Sequence, residues 1–434
     1  MKKILMYCIG ILSCLAARAQ VEKPDFRPLK IGDDIPESVW HMPLQTVNHQ
    51  DGKKTISLND YRGKMIVLDF WATWCSSCIQ NFPKVEMLQK KLESEIKILA
   101  IAYEDKKKIT EFFASKVGKD YQIASVVADS VFRKIFPHRL IPHYVWIDKA
   151  GKVKMFTGSE ELTEENIISV IDKRNVSLIM KNDIDTERPL FLSDYIKVDS
   201  LSYFSLLLKG YYPGLGSGSR FRKTDGILRG RAVYNASIKV LYETAAIPLF
   251  KEVGDKYNKN RLIIQAVDLS KVLAAKSLQD TIWNSKFRYS YDLIVPKSKS
   301  EELFHIMLSE LNKYSGYYGR IERRKVKCIV LARIDRGKDL MKTKGSKHEN
   351  SLFYKAPSKL INYPIGFLVD RLNSEISITK PVIDETGYKN HVDIVLSGNL
   401  NLIVLRKELQ QYGLDLIESE RELDMFVISD HIQK

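Results

Sequence analysis

The chain has 434 residues, 44% of them hydrophobic and 28% charged, with a formal net charge of +15. That length exceeds what one hydrophobic core organises, so about two or three domains are expected, and the composition excludes a largely disordered chain. Five cysteines are too few for a disulfide-stapled scaffold; the basic residues are spread along the chain without a reading motif, which argues against nucleic acid as a partner and for acidic surfaces.

Lys2 and Lys3, the apolar run 4–17 and Ala17-Arg18-Ala19 form the pattern of an export signal, residues 1–19, cleaved before Gln20. The run is shorter than the roughly 20 residues that cross a bilayer. A membrane anchor is therefore the alternative, as is lipidation of Cys14 within Ile11-Leu12-Ser13-Cys14. The mature protein is expected to be periplasmic or otherwise extracytoplasmic, with Cys75, Cys78 and Cys328 as its cysteines.

Residues 20–60 are polar and turn-rich, with a turn at Asp51-Gly52. The continuous apolar run 65–70 predicts a strand covered on both faces. A helical period begins at the cysteines and carries Phe82, Val85, Leu88 and Leu92. A second buried strand follows at 96–103 and a helix at 106–116. Strands at 144–147 and 153–156 flank the turn Asp148-Lys149-Ala150-Gly151, and a helix at 160–173 closes the unit. This order predicts an α/β domain over 20–174, a central mixed sheet flanked by helices. Residues 175–194, with Pro189, read as a linker. Residues 195–434 read as a separate α+β domain: an irregular stretch at 210–230, strands at 233–242, 289–295, 326–333 and 426–429, and amphipathic helices at 301–314 and 402–412.

Trp74-Cys75-Ser76-Ser77-Cys78 puts two cysteines at a helix start, where unpaired N–H groups and the helix dipole favour a thiolate. Cys75, nearer solvent, would attack a disulfide, and Cys78, one turn along, would resolve the mixed disulfide. The same spacing is half of a structural zinc site. Only Cys328 and scattered histidines could complete it, and no His pair has ligand spacing, so neither a metal nor another cofactor is expected. Asp69 lies in mid-strand, where a carboxylate is costly without work or a partner.

The run from Val67 to Cys78 resembles the active-site strand, turn and helix start of thioredoxins. Residues 66–83, with Leu58-Asn59-Asp60-Tyr61-Arg62-Gly63-Lys64 before them, resemble the TlpA/ResA branch of exported members, the likeness covering about residues 30–173. It implies a thioredoxin-like fold and a thiol-disulfide oxidoreductase acting on thiols and disulfides of exported proteins, recharged by an electron donor. It places Pro142, in Leu140-Ile141-Pro142-His143, as a cis-proline beside the dithiol, with Ile141 and Trp74 on the substrate side. Asp69 matches the buried acid that takes the proton of Cys78. Asn81 stands where this branch carries Glu, and Ser76-Ser77 replaces a pair containing proline, so a role in cytochrome c maturation does not carry over.

Tyr234-Asn235-Ala236-Ser237-Ile238, Tyr289-Ser290-Tyr291-Asp292-Leu293, Met307-Leu308, the segment from Pro381 to Tyr388, Asp393 and Gln411-Tyr412-Gly413-Leu414 resemble the soil-associated domain family of unknown function. That family is similar in places to short periplasmic domains of secretins and TonB-dependent receptors. The resemblance covers about residues 195–432 and implies an interaction module for an envelope partner; no nucleophile elbow, phosphate loop or paired metal motif adds chemistry. His305 and His391 are expected to be exposed helix and loop residues. Cys328 is expected to be a buried, inert thiol, the alternative being an intermolecular disulfide or a bond to Cys75. Two other functions compete: a thiol peroxidase, whose pocket proline is missing before Thr73-Trp74, and an envelope-docked binding protein carrying the thioredoxin unit as a passenger.

Overall fold

The computed structural model describes residues 27–174, 178–193, 195–273, 281–335, 341–345 and 347–430. The expected export signal at 1–19, Cys14 included, lies outside the described residues. The chain divides into two compact units, Met1–Asp185 with Tyr212–Gly216, and Thr186–Tyr211 with Ser217–Lys434.

The first unit is built on β1 (Leu44–Val47), β2 (Thr55–Ile56), β3 (Met65–Trp71), β4 (Ile96–Ala102), β5 (Ser125–Val126), β6 (His143–Ile147) and β7 (Val153–Thr157), in the spatial order β2-β1-β5-β4-β3-β6-β7. β3, β4 and β5 run parallel, and β6 lies antiparallel to β3. This is the thioredoxin-like mixed sheet. Every residue of β3 is buried, because the strand has core on both sides. Ile66, Leu68 and Phe70 join Leu99, Ile101, Val145 and Ile147 on one face. Val67 and Trp71 join Phe82, Val85, Leu88 and Ile167 on the other, where α1 (Ser76–Lys91), α2 (Lys106–Ala114) and α3 (Glu164–Ile171) contribute. Each such buried aliphatic or aromatic side chain contributes about 1.5–3 kcal/mol. The stretch read as a linker divides between the units: Met180 bridges Thr157, and the Lys181 N–H bonds Phe156 O, whereas the Leu190 N–H bonds buried Asp292 of the second unit.

The second unit repeats one order of elements. Its first copy is β10 (Ile227–Ser237), α4 (Ile238–Glu252), β11 (Leu262–Gln265), β12 (Arg288–Ile294), α5 (Leu303–Tyr314) and β13 (Tyr317–Arg333); its second is β15 (Ser358–Pro364), α6 (Gly366–Ser374), β16 (Val382–Asp384), β17 (His391–Leu396), α7 (Leu402–Gln410) and β18 (Leu414–Asp430). The remaining strands, β8 (Phe204–Lys209), β9 (Gly218–Thr224) and β14 (Glu349–Asn350), extend the sheets. β13 and β18 pair antiparallel along their whole 17-residue lengths, crossing at Lys325 opposite Glu422. The consequence is an exchange. β11 of the first copy pairs with the end of β18, Leu262 opposite Phe426, and β16 of the second pairs with the end of β13, Val382 opposite Ile329. Phe426 and Ile428 therefore lie in the first copy's core, and Ile329 and Leu331 in the second's.

Two expectations need correction. The stretch 210–230 is not irregular throughout: β9 and β10 form a hairpin turning at Asp225-Gly226, both with positive φ, the conformation such a turn demands. The expected strand at 233–242 ends at Ser237, because Ile238, Leu241, Tyr242, Ala245 and Leu249 are buried at helical spacing.

Candidate active site

β3 delivers the chain to the dithiol. Its end is followed by a turn in which the Cys75 N–H bonds Ala72 O, and α1 starts at Ser76 with Cys75 as its cap. Cys75 and Cys78 are joined by a disulfide, with sulfurs 2.06 Å apart. The Cys78 N–H donates to Cys75 Sγ at 3.2 Å, and Ser77 Oγ lies 3.5 Å from the same sulfur. On reduction these groups and the helix N-terminus would stabilise a Cys75 thiolate. Cys75 is 5% exposed and Cys78 1%, so the first residue of the pair is the more accessible. Trp74 beside them is 63% exposed, its Nε1 donating to Tyr103 Oη at 2.8 Å.

The turn is held by a residue that sequence reasoning missed. Glu104, buried just beyond β4, accepts from Thr73 N at 2.6 Å and Thr73 Oγ1 at 2.9 Å and pairs with Lys108. Burial alone would raise its pKa, but the Lys108 and Thr73 bonds outweigh it and hold the carboxyl below its ordinary value. The available signal was an acid directly after a buried strand.

Asp69 is buried opposite Tyr144 of β6. Strand alternation puts it with Val67 and Trp71, on the face whose core contains Cys75 and Cys78. Neither carboxylate oxygen has a hydrogen-bond partner among the described residues, nor has the Tyr144 hydroxyl. Burial, the largest influence, pushes the Asp69 carboxyl up to about 7, with the Lys84 ammonium pulling the other way. An acid with that value exchanges protons near neutrality. Lys84, on α1, donates to Ser159 O at 2.7 Å, and Asn81 turns inward to donate to Ser77 O at 2.7 Å.

The Ile141–Pro142 peptide bond is cis. His143, next in the chain, pairs with Phe70 at the end of β3 that leads to the cysteines, and Ile141 packs on the core containing both sulfurs. Trp74, Cys75, Cys78, Asp69, Ile141 and Pro142 are thus assembled around one end of β3.

The remaining expected residues lie elsewhere. Cys328 is a free, buried thiol in β13, its pKa raised by burial. His305 is exposed on α5 and pairs with Glu252 at 2.6 Å. His391 is not in a loop: it opens β17, half-buried, with Nδ1 2.9 Å from Asn362 Oδ1. Among the described residues no cluster of three or more His, Cys, Asp or Glu is placed to hold a metal ion, and no helix is long and apolar enough to cross a membrane.

The Redoxin family model matches residues 30–171. Thiol-disulfide oxidoreductase ResA of a Bacillus cereus strain is 32% identical over 133 residues, covering 30% of this chain and 70% of that protein. The chain belongs to the ResA family. ResA of Geobacillus thermodenitrificans is 35% identical over 112 residues, 25% of this chain; the chain spans 63% of that relative's length. Among solved structures, the exposed lipoprotein thioredoxin of Streptococcus pneumoniae is 25% identical, covers 30% of this chain and 98% of its own, and superposes with a TM-score of 0.27. The Redoxin match falls wholly within the first unit.

Proposed function

We propose that the protein is an extracytoplasmic protein-disulfide oxidoreductase that reduces or exchanges disulfides in exported proteins. The observation that carries this reading is the Cys75–Cys78 disulfide at the N-terminus of α1, with the Cys78 N–H directed at Cys75 Sγ. In the reduced protein the Cys75 thiolate attacks a substrate disulfide, forming a mixed disulfide and releasing one substrate sulfur as a thiolate that takes up a proton. Asp69 then accepts the Cys78 proton, and Cys78 sulfur attacks Cys75 Sγ. The Cys75–Cys78 bond forms, the bond between Cys75 and the substrate breaks, and the second substrate sulfur leaves as a thiolate that takes up a proton. The substrate gains two electrons, and a dithiol donor must return two to the protein. Pro142, Ile141 and Trp74 form the wall along which the substrate lies. The second unit, residues 195–434 in the sequence reading, serves to dock an envelope partner, and the pattern at residues 1–19 supports export.

Replacing Cys78 with Ser removes the resolving sulfur. The variant is expected to accumulate envelope proteins disulfide-bonded to Cys75, released by dithiothreitol and absent from a Cys75→Ser/Cys78→Ser control. An empty trap in native envelope extracts overturns the reading.

A further inference from the structure

The segment ahead of Pro142 is not held by the sheet alone. Asp183 Oδ2 accepts the backbone N–H groups of Arg139 and Leu140, the latter at 3.0 Å. Lys181 Nζ donates to Leu140 O at 2.9 Å and to Asp183 Oδ1, and lies 3.3 Å from His143 Nδ1 on the other side of Pro142. The Lys181 side chain is buried, 3% exposed, and that of Asp183 is mostly covered, 11% exposed. The ion pair thereby grips the loop at residues 139, 140 and 143. Its own backbone is fixed in turn, because the Lys181 N–H bonds Phe156 O of β7 at 2.9 Å and the Ile184 N–H bonds Gly214 O at 2.8 Å within the same unit. The Redoxin match ends at residue 171, so the grip comes from residues beyond that match, within the same unit.

We infer that Lys181 and Asp183 are positioning residues for substrate disulfides, presetting the Ile141–Pro142 wall before a polypeptide substrate arrives. The inference rests on the disulfide-exchange reading of Cys75 and Cys78. A buried ion pair is a costly way to stabilise a fold, because each charge loses water. It does define one geometry where it engages the backbone beside it, as it engages the Arg139 N–H, the Leu140 N–H and the Leu140 carbonyl here. A wall fixed in advance spares an extended substrate the entropy of ordering it. A small disulfide, which needs only the sulfurs, gains nothing from it.

The test compares the full chain with Lys181→Met, Asp183→Asn and the conservative Lys181→Arg, using reduced protein against insulin and against glutathione disulfide, with amide hydrogen exchange at residues 139 and 140. With a misplaced wall, KM for insulin rises and the ratio of insulin to glutathione-disulfide turnover falls by roughly tenfold or more. Arg139 and Leu140 amides exchange faster, and Lys181→Arg recovers much of both. Should a single variant fail to fold because one buried charge is stranded, Lys181→Met/Asp183→Leu removes both charges and is read in the same way. An unchanged turnover ratio, or unchanged exchange at 139 and 140, overturns the inference. A wild-type protein inert toward insulin and other protein disulfides overturns the exchange reading instead, and amide exchange still decides whether the pair holds the loop.

Discussion

The buried Asp69 carboxyl makes stability depend on pH. Its folded-state pKa of about 7 lies above its ordinary value of 3.8, so between those values the folded protein binds a proton that the unfolded chain releases. Stability therefore falls as pH rises through that window. Asp69→Asn removes the fall and is expected to stabilise the oxidised protein at pH 8 by on the order of 2–4 kcal/mol, while changing little at pH 4; thermal melts at the two pH values measure it. The same substitution should slow resolution of the mixed disulfide roughly a hundredfold, the size of a lost general base, seen by quenched-flow trapping. At Cys328, burial predicts that iodoacetamide labels Cys75 in native reduced protein and reaches Cys328 only after denaturation, as mass spectrometry of the peptides would show. The dithiol and Asp69 were legible because each breaks a local pattern, two cysteines at a helix start and an acid in an apolar strand. Glu104 and Lys181 were not, because their partners, Thr73 and Leu140, are distant in sequence and only the fold brings them together.

At the scale of elements, the junction of β3 with α1 depends on a side chain from neither. Glu104→Gln keeps the shape but loses the ion pair with Lys108 and weakens the bonds to Thr73. It is expected to cost about 1–3 kcal/mol. Glu104 is held below its ordinary pKa of 4.5, so its stabilisation is fully present above that ordinary value and is lost as pH falls through the lowered one; the variant and wild type should therefore converge in melting temperature only on acidification below 4.5. Strands β3, β4, β6 and β7 of the first unit were readable nearly to the residue, since runs such as Met65–Trp71 have core on both faces and leave no polar alternation to confuse, whereas β1, β2 and β5, two to four residues long, were not read as strands. The second unit was harder. Tyr234 to Tyr242 mixes aromatic and β-branched residues suited to a strand, and only burial on one side from Ile238 onward makes the rest a helix. The central stretches of β13 and β18, Arg320 to Lys327 and Glu418 to Asp424, are rich in Arg, Lys and Glu, which masked their 17-residue length.

At the scale of the whole second unit, the repeated order of elements escaped a reading of residues because what recurs is the pattern of burial and pairing, not the amino acids. The exchange of strand ends makes the two copies one folding unit. Residues 217–335 alone would lack Phe426 and Ile428 from their core, and they are expected to stay unfolded by circular dichroism, whereas residues 186–434 should melt in a single transition. A separately folded 217–335 fragment would show that β13 and β18 merely adjoin. Synthesis proceeds from the N-terminus, so the first copy waits, unsealed, until residue 428 has been made. A ribosome that stops early releases a product with apolar faces open in both copies, ready for proteolysis. The crossed strands thus make closure of the first copy's core wait on the residues of β18 that complete it.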